Sequence, residues 1–190
     1  MAPSRPEAGT QSHGLQLCRL PLRNADGCYL TVVEAAAGSR NKCKFEPEFG
    51  ALVLHSVLPL GTSFPYAFGF VPSTRADDGD PIDVLVLLDE PVQPGTVVPA
   101  RLVGILEAEQ SEHGETLRND RLLAVADKSE CYREVHKLKH VANHVRKRIE
   151  EFFVFYHGMK GVEFRPLGWH GKAAAEAAVA KAHKAFLHQH

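Results

Sequence analysis

Four aspartates, Asp77, Asp78, Asp80 and Asp83, crowd the stretch ADDGDPIDVLVLL (76–88), and an aliphatic run follows at once. Like charges at the mouth of a buried strand repel one another and lose hydration. Asp, Gly and Pro are turn formers, so DDGDP can be a strand entry and nothing more. The other reading is a hard-cation site: carboxylate oxygens suit Mg2+ or Mn2+, and a dication makes clustered acids tolerable. On a regular strand Asp78 and Asp80 share a face and Asp83 opposes them, but Gly79 and Pro81 break that regularity and leave convergence open. An EF-hand is disfavoured, because its required glycine falls at Asp83.

Other chemistry-bearing residues have bland readings beside sharp ones. His136, His140 and His144 recur every four residues, a spacing that suits Zn2+ on a helix, yet no acid or cysteine joins them and a solvated face explains them better. Lys137, Lys139, Arg146, Lys147 and Arg148 spread around a polar arc without interleaved aromatics, which argues against nucleic acid. Tyr156 falls on an apolar stripe, where its hydroxyl needs a partner, structural or substrate. No Walker A, G-x-S-x-G or H-E-x-x-H pattern occurs, so those mechanisms gain no support.

The elements that must position these groups divide the chain. Short β-branched or aliphatic runs (YLTVV, ALVLHSV, IDVLVLL, TVVPARLVGIL, RLLAVA) punctuated by Gly and Pro predict strands from Tyr29 to about Val125. SEHGETLRND reads as a polar, flexible excursion between two of them. From about Cys131 the period becomes helical, with Leu138, Val141, Val145, Ile149, Phe152 and Tyr156 on one stripe and Gly158 as a stop. KAAAEAAVAKAHKAFL predicts a second, Ala-rich helix. Strands first and helices last give an α+β class, a small sheet or barrel covered by helices.

With 190 residues, 44% of them hydrophobic, the chain can bury a core, and one domain over 15–190 is expected after a loose polar tail at 1–14. A net charge of −1 disfavours dedicated nucleic-acid or anionic-membrane surfaces, and no apolar run is long enough to span a bilayer. The four cysteines form no C-x-x-C and no secretory apolar region precedes them, so free thiols in the cytoplasm are expected.

The segment D-G-D-P-I-D-V (78–84) resembles the signature of the soluble family I inorganic pyrophosphatases. Collinear matches extend to RNKCKFEPEFGAL, FPYAFGFVPST, PVQPGTVVPARLVGIL and IEEFFVFYHG, so the resemblance runs from about Tyr29 to Trp169. It implies an OB-like five-stranded barrel with flanking C-terminal helices, a homo-oligomer, and Mg2+-dependent hydrolysis of pyrophosphate, with Mn2+ as a second fitting ion. It further implies Asp78 and Asp83 as metal ligands, Asp80 as the group that orients or deprotonates water, Lys42, Arg121 and Tyr156 as substrate contacts, and Glu34 as an active-site glutamate behind them.

The match has gaps. Lys44 stands where the family has a glutamate, Ser56 where it has a phosphate-binding arginine, Phe64 and Phe68 where it has tyrosines, and His157 where it has a lysine. Arg121 replaces a lysine. The segment 109–121 is longer than usual: Gln110, Ser111 or Glu112 falls at one ligand position, and Asn119 at another unless a one-residue shift brings in Asp120, the expected third ligand. Two alternatives follow, a weakened metal- and phosphate-binding module or a hydrolase of another phosphoanhydride.

Overall fold

A computed structural model describes residues 17–46 and 48–188, so the tail expected at 1–14 lies outside the described residues. The strands are β1 (Tyr29–Ala35), β2 (Asn41–Glu46), β3 (Ala51–Val57), β4 (Ala67–Phe70), β5 (Asp83–Leu87), β6 (Val97–Glu112), β7 (Glu115–Arg118), β8 (Arg121–Ala126) and β9 (Glu163–Gly171). The helices are α1 (Asn143–Gly158) and α2 (Lys172–Leu187). The pairings β1–β4–β5–β8–β6 close through β6–β1 into a five-stranded ring. All of these are antiparallel except β5 with β8. The α+β, OB-like barrel expected from the sequence is therefore the fold.

The strands are apolar on both faces because both faces are covered. Leu85, Leu87, Leu123 and Val125 pack with Val145, Ile149 and Phe153 of α1. Their alternates Val84, Val86, Leu122 and Ala124 pack with Ala175, Val179 and Ala182 of α2, whose small side chains let the helix lie close. Gly69 on β4 shows how tightly the ring is drawn: a Cβ there would stand 1.8 Å from the Val32 carbonyl oxygen of β1.

Three expectations need correction. The helix begins at Asn143, not near Cys131; 131–142 is turns and a 3-10 turn at Leu138–His140. Arg101 on β6 supplies a physical reason, since its guanidinium binds the carbonyls of Tyr132 (2.6 Å), Arg133 (3.1 Å) and Val135 (3.1 Å), acceptors a helix would need. His136, His140 and His144 consequently share no helix face. SEHGETLRND is not a loose excursion but the β6–β7 hairpin, closed at His113 (φ 50°) and Gly114 (φ 86°). Lastly β9, hidden in the sequence by Pro166 and Gly168, pairs with the long β6.

Candidate active site

The signature folds as a tight turn ahead of β5. The Asp80 carbonyl accepts the Ala76 N–H (2.7 Å), Gly79 takes φ 91°, and the Asp78 carboxylate accepts the Asp80 N–H (3.1 Å). Glycine is needed at 79 because this φ is strained for any side chain. Since β5 and β8 run parallel with Val84 opposite Leu122, the residues before them, Asp83 and Arg121, arrive side by side. The Arg121 guanidinium lies 2.9 Å from the Asp83 carboxylate, is only 3% exposed, and also donates to the carbonyls of Asn119 and Asp120.

Asp78, Asp80 and Asp83 line one cleft of about 340 Å³. Lys42, Arg121, Tyr156 and Lys160 line the same cleft, so acids and cations share it. Lys42 holds its ammonium 4.8 Å from the centre of the Phe68 ring, a cation–π contact. Tyr156 is buried, and its hydroxyl accepts from Lys160 Nζ at 2.7 Å. Phe64, 1% exposed, stacks on Phe68 and sits against Phe152 and Tyr156, an aromatic prop beneath the cleft wall.

Glu34 reaches an adjoining cavity with Lys42, Lys44, Asp80 and Asp83. Burial raises its carboxyl to about 7, and Asp83 pushes the same way against Lys42, the Phe45 N–H and Lys44. Asp78 is likewise raised by desolvation and then by the Asp83 and Asp80 charges, while the Asp80 N–H and Arg121 oppose. Lys44 answers Asp80 with contacts of 3.0 and 3.1 Å to the two carboxylate oxygens. His157 is pushed down to about 4 by burial and then by Arg121, so it is a neutral imidazole whose Nδ1–H donates to the Phe153 carbonyl (2.9 Å).

Asp120 does not line this cleft, although it shares a neighbouring cavity with Asp78 and Asp83. Its carboxylate accepts the Ala108 N–H (3.0 Å) and pairs with Arg118 (3.0 Å), and the residues of 109–121 that line the cleft are Gln110, Glu112, Asn119 and Arg121. The hairpin is what turns Glu112 inward while fixing Asp120 to the β6 backbone. Among the described residues no three His, Cys, Asp or Glu side chains converge into a ready metal cage. The acidic donors on offer are nevertheless all oxygen, and Asp78, raised first by desolvation and then by the Asp83 and Asp80 charges, belongs to a carboxylate group short of positive charge. These residues fit a hard divalent ion.

The family model for inorganic pyrophosphatase matches residues 31–187. The chain belongs to the inorganic pyrophosphatase family. It is 38% identical to the inorganic pyrophosphatase of a Nostoc species, over 90% of this chain and 99% of that one. It is 36% identical to that of a Synechocystis species, over 82% and 89% respectively. The fold matches the crystal structure of the inorganic pyrophosphatase from Thermus thermophilus with a TM-score of 0.81 at 32% identity, covering 90% of this chain and 99% of that one. The inorganic pyrophosphatase from Helicobacter pylori superposes with a TM-score of 0.78 at 32% identity, over 88% and 98%. Membership of the pyrophosphatase family implies a divalent metal cofactor. No helix among the described residues is long and apolar enough to cross a membrane.

Within this pyrophosphatase barrel, sequence reasoning missed two polar cleft residues, Lys160 and His55. Lys160 had a signal: it follows Tyr156 by four residues, one helical turn. His55 had none, because only a β-bulge turns it inward.

Proposed function

We propose that this chain hydrolyses inorganic pyrophosphate to two phosphates, with Mg2+ as its divalent ion and Mn2+ as the other hard ion its oxygen donors accept. The observation that carries this reading is a single cleft in which Asp78, Asp80 and Asp83 share the space with Lys42, Arg121, Tyr156 and Lys160. A dianionic phosphoryl centre repels an incoming water unless its charge is neutralised. Held by Asp78 and Asp83, with Glu112 as the hairpin's carboxylate, divalent ions would neutralise the substrate and acidify coordinated water.

The chain's own groups do the rest. Asp80 orients the attacking water and takes its proton, and Lys44 fixes the direction of that carboxylate. Lys42 and Arg121 bind phosphoryl oxygens, Lys42 as a point charge and Arg121 as a planar fork already braced by the Asn119 and Asp120 carbonyls. The Tyr156 hydroxyl accepts from Lys160, which leaves its own proton to donate to the substrate. The reading carries with it the cytoplasmic setting and homo-oligomeric assembly expected from the sequence; exposed Phe49, Leu54, Val57 and Leu60 on and beside the β2–β3 ribbon offer apolar surface for the latter.

The test is phosphate release from pyrophosphate with Mg2+, with Mn2+ and with a chelator, beside an Asp80→Asn variant. We expect turnover with either ion, none with the chelator, and kcat lower by about 10²–10⁴-fold in Asp80→Asn, the usual range for a lost general base. Absence of phosphate release at every divalent ion overturns the reading.

A further inference from the structure

The pairing of β2 with β3 contains an irregularity at the cleft. Lys42 lies opposite Ser56 and Cys43 opposite Leu54, so His55 is an extra residue with no partner across the ladder. A bulge of this kind reverses which side chain faces which side of a ribbon. Its effect here is visible at both positions. His55 lines the cleft and also the adjoining cavity that holds Glu34, whereas Ser56 lines neither, and its hydroxyl is buried without a hydrogen-bond partner among the described residues.

Three lysines act on His55. Burial lowers its pKa first, and Lys42, Lys160 and Lys44 lower it further against Glu46. Lys44 has Asp80 as its counter-charge. Among the described residues neither Lys42 nor Lys160 has a salt bridge: Lys42 rests on the Phe68 ring, and Lys160 donates to the Tyr156 hydroxyl and lies 4.3 Å from that ring's centre. Two ammonium groups without salt-bridge partners beside a neutral imidazole, on one wall of a cleft, suit an anion.

We infer that His55 and Lys160, together with Lys42, form the phosphoryl-binding subsite of this cleft, and that the bulge makes position 55, not 56, its β3 contact. The inference rests on the proposed pyrophosphate hydrolysis and names residues that sequence correspondence does not supply. In this subsite Lys160 provides the charge that neutral His157 cannot, and the His55 imidazole contributes a hydrogen bond. An anionic phosphoryl group bound there has oxygen acceptors for all three.

The experiment compares full-length His55→Ala, His55→Arg, Lys160→Met and Ser56→Arg by steady-state kinetics with pyrophosphate and Mg2+. Calorimetric binding of inorganic phosphate is measured in parallel, and thermal melts confirm folding. His55→Ala should raise KM roughly tenfold with kcat changed little, as for a lost neutral hydrogen bond to a charged ligand. Lys160→Met should lower kcat/KM about 100-fold, as for a lost charged contact. His55→Arg should lower KM and tighten phosphate binding, while Ser56→Arg should do neither. Unchanged KM and phosphate binding in both His55→Ala and Lys160→Met, with Lys42→Met inactive, overturns the inference and leaves the proposed reaction standing. A gain in Ser56→Arg without one in His55→Arg overturns it as well. If the wild type binds phosphate in this order of variants yet hydrolyses no pyrophosphate, the subsite stands and the proposed reaction falls.

Discussion

Glu34 is 6% exposed and occupies the extra position where β1 slips against β4, between Val33 opposite Gly69 and Ala35 opposite Phe68. The slip turns a carboxyl into the interior, and burial then raises it from 4.5 to about 7. The folded state thus holds this proton more tightly than the unfolded chain does. Glu34's contribution to stability is complete below about pH 4.5 and is lost as pH rises through 7, by about 3 kcal/mol. Denaturant unfolding of metal-free protein between pH 4.5 and 8.5 should show Glu34→Gln gaining on the wild type by that order as pH rises; His157 and other titrations cancel in the comparison. Parallel curves would show that Glu34 stays solvated. A second contrast separates Glu112 from Asp120. Glu112→Gln should weaken Mg2+ binding about tenfold by calorimetry with little change in melting, because Glu112 is exposed and lines the cleft. Asp120→Asn should keep Mg2+ affinity and lose about 1–2 kcal/mol, since it weakens the hold on the Ala108 N–H and leaves Arg118 with Glu107 alone. The sequence could name the signature acids because DGDPID packs them into six positions; its choice of Asp120 as the third ligand was made without the hairpin, which brings Glu112 to the cleft and ties Asp120 to the Ala108 N–H.

At the level of strands and helices, what was legible follows from periodicity and what was not follows from long-range partners. The five apolar runs became strands, and KAAAEAAVAKAHKAFL became α2 with its boundaries intact, because local pattern and tertiary burial agree there. The segment 131–142 carries a helical period but loses its carbonyls to Arg101, roughly thirty residues away, and no local window contains that competitor. Bulges at Glu34 and His55 are invisible for the same reason: each depends on a neighbouring strand. The β6–β7 turn was legible in principle. His113 and Gly114 both have positive φ, the two-residue turn that matches strand twist and for which Asn-Gly is favoured. His113→Asn should therefore raise stability by about 0.5 kcal/mol, measured by thermal unfolding, and leave KM unchanged, as the His113 side chain points at Glu112 from an exposed tip. A loss of stability would mean that the Glu112 contact outweighs the turn conformation.

The barrel as a unit is gripped at the signature from both ends of the chain. Ser73, held at φ 54°, receives its restraints from the segment before β1 through the Cys18 carbonyl (2.8 Å) and the Leu20 carbonyl (2.8 Å). From the other side α2 contributes three contacts: His183 Nδ1 on the Ser73 carbonyl (2.6 Å), the Ala182 carbonyl on the Arg75 N–H (2.9 Å), and Lys181 on both Asp77 carboxylate oxygens (2.9 Å). All of them fall just before Asp78, so the last helix in the chain holds the turn that carries the acids. Surface ion pairs of this kind add little to stability, about 0–1 kcal/mol, and truncating Lys181 and His183 should lower the melting temperature by only a few degrees. Positioning is a different quantity, because carboxylates that must meet one cation lose affinity when their turn can wander. The Lys181→Ala, His183→Ala double variant should bind Mg2+ about tenfold more weakly by calorimetry and exchange the amide hydrogens of 76–80 faster, with the barrel amides of β5 and β8 unchanged. Equal Mg2+ affinity and equal exchange would reduce α2 to a cover for Val84, Val86, Leu122 and Ala124. Weaker binding with faster exchange confined to 76–80 would instead tie α2 to the preorganisation of a site built on the central strands.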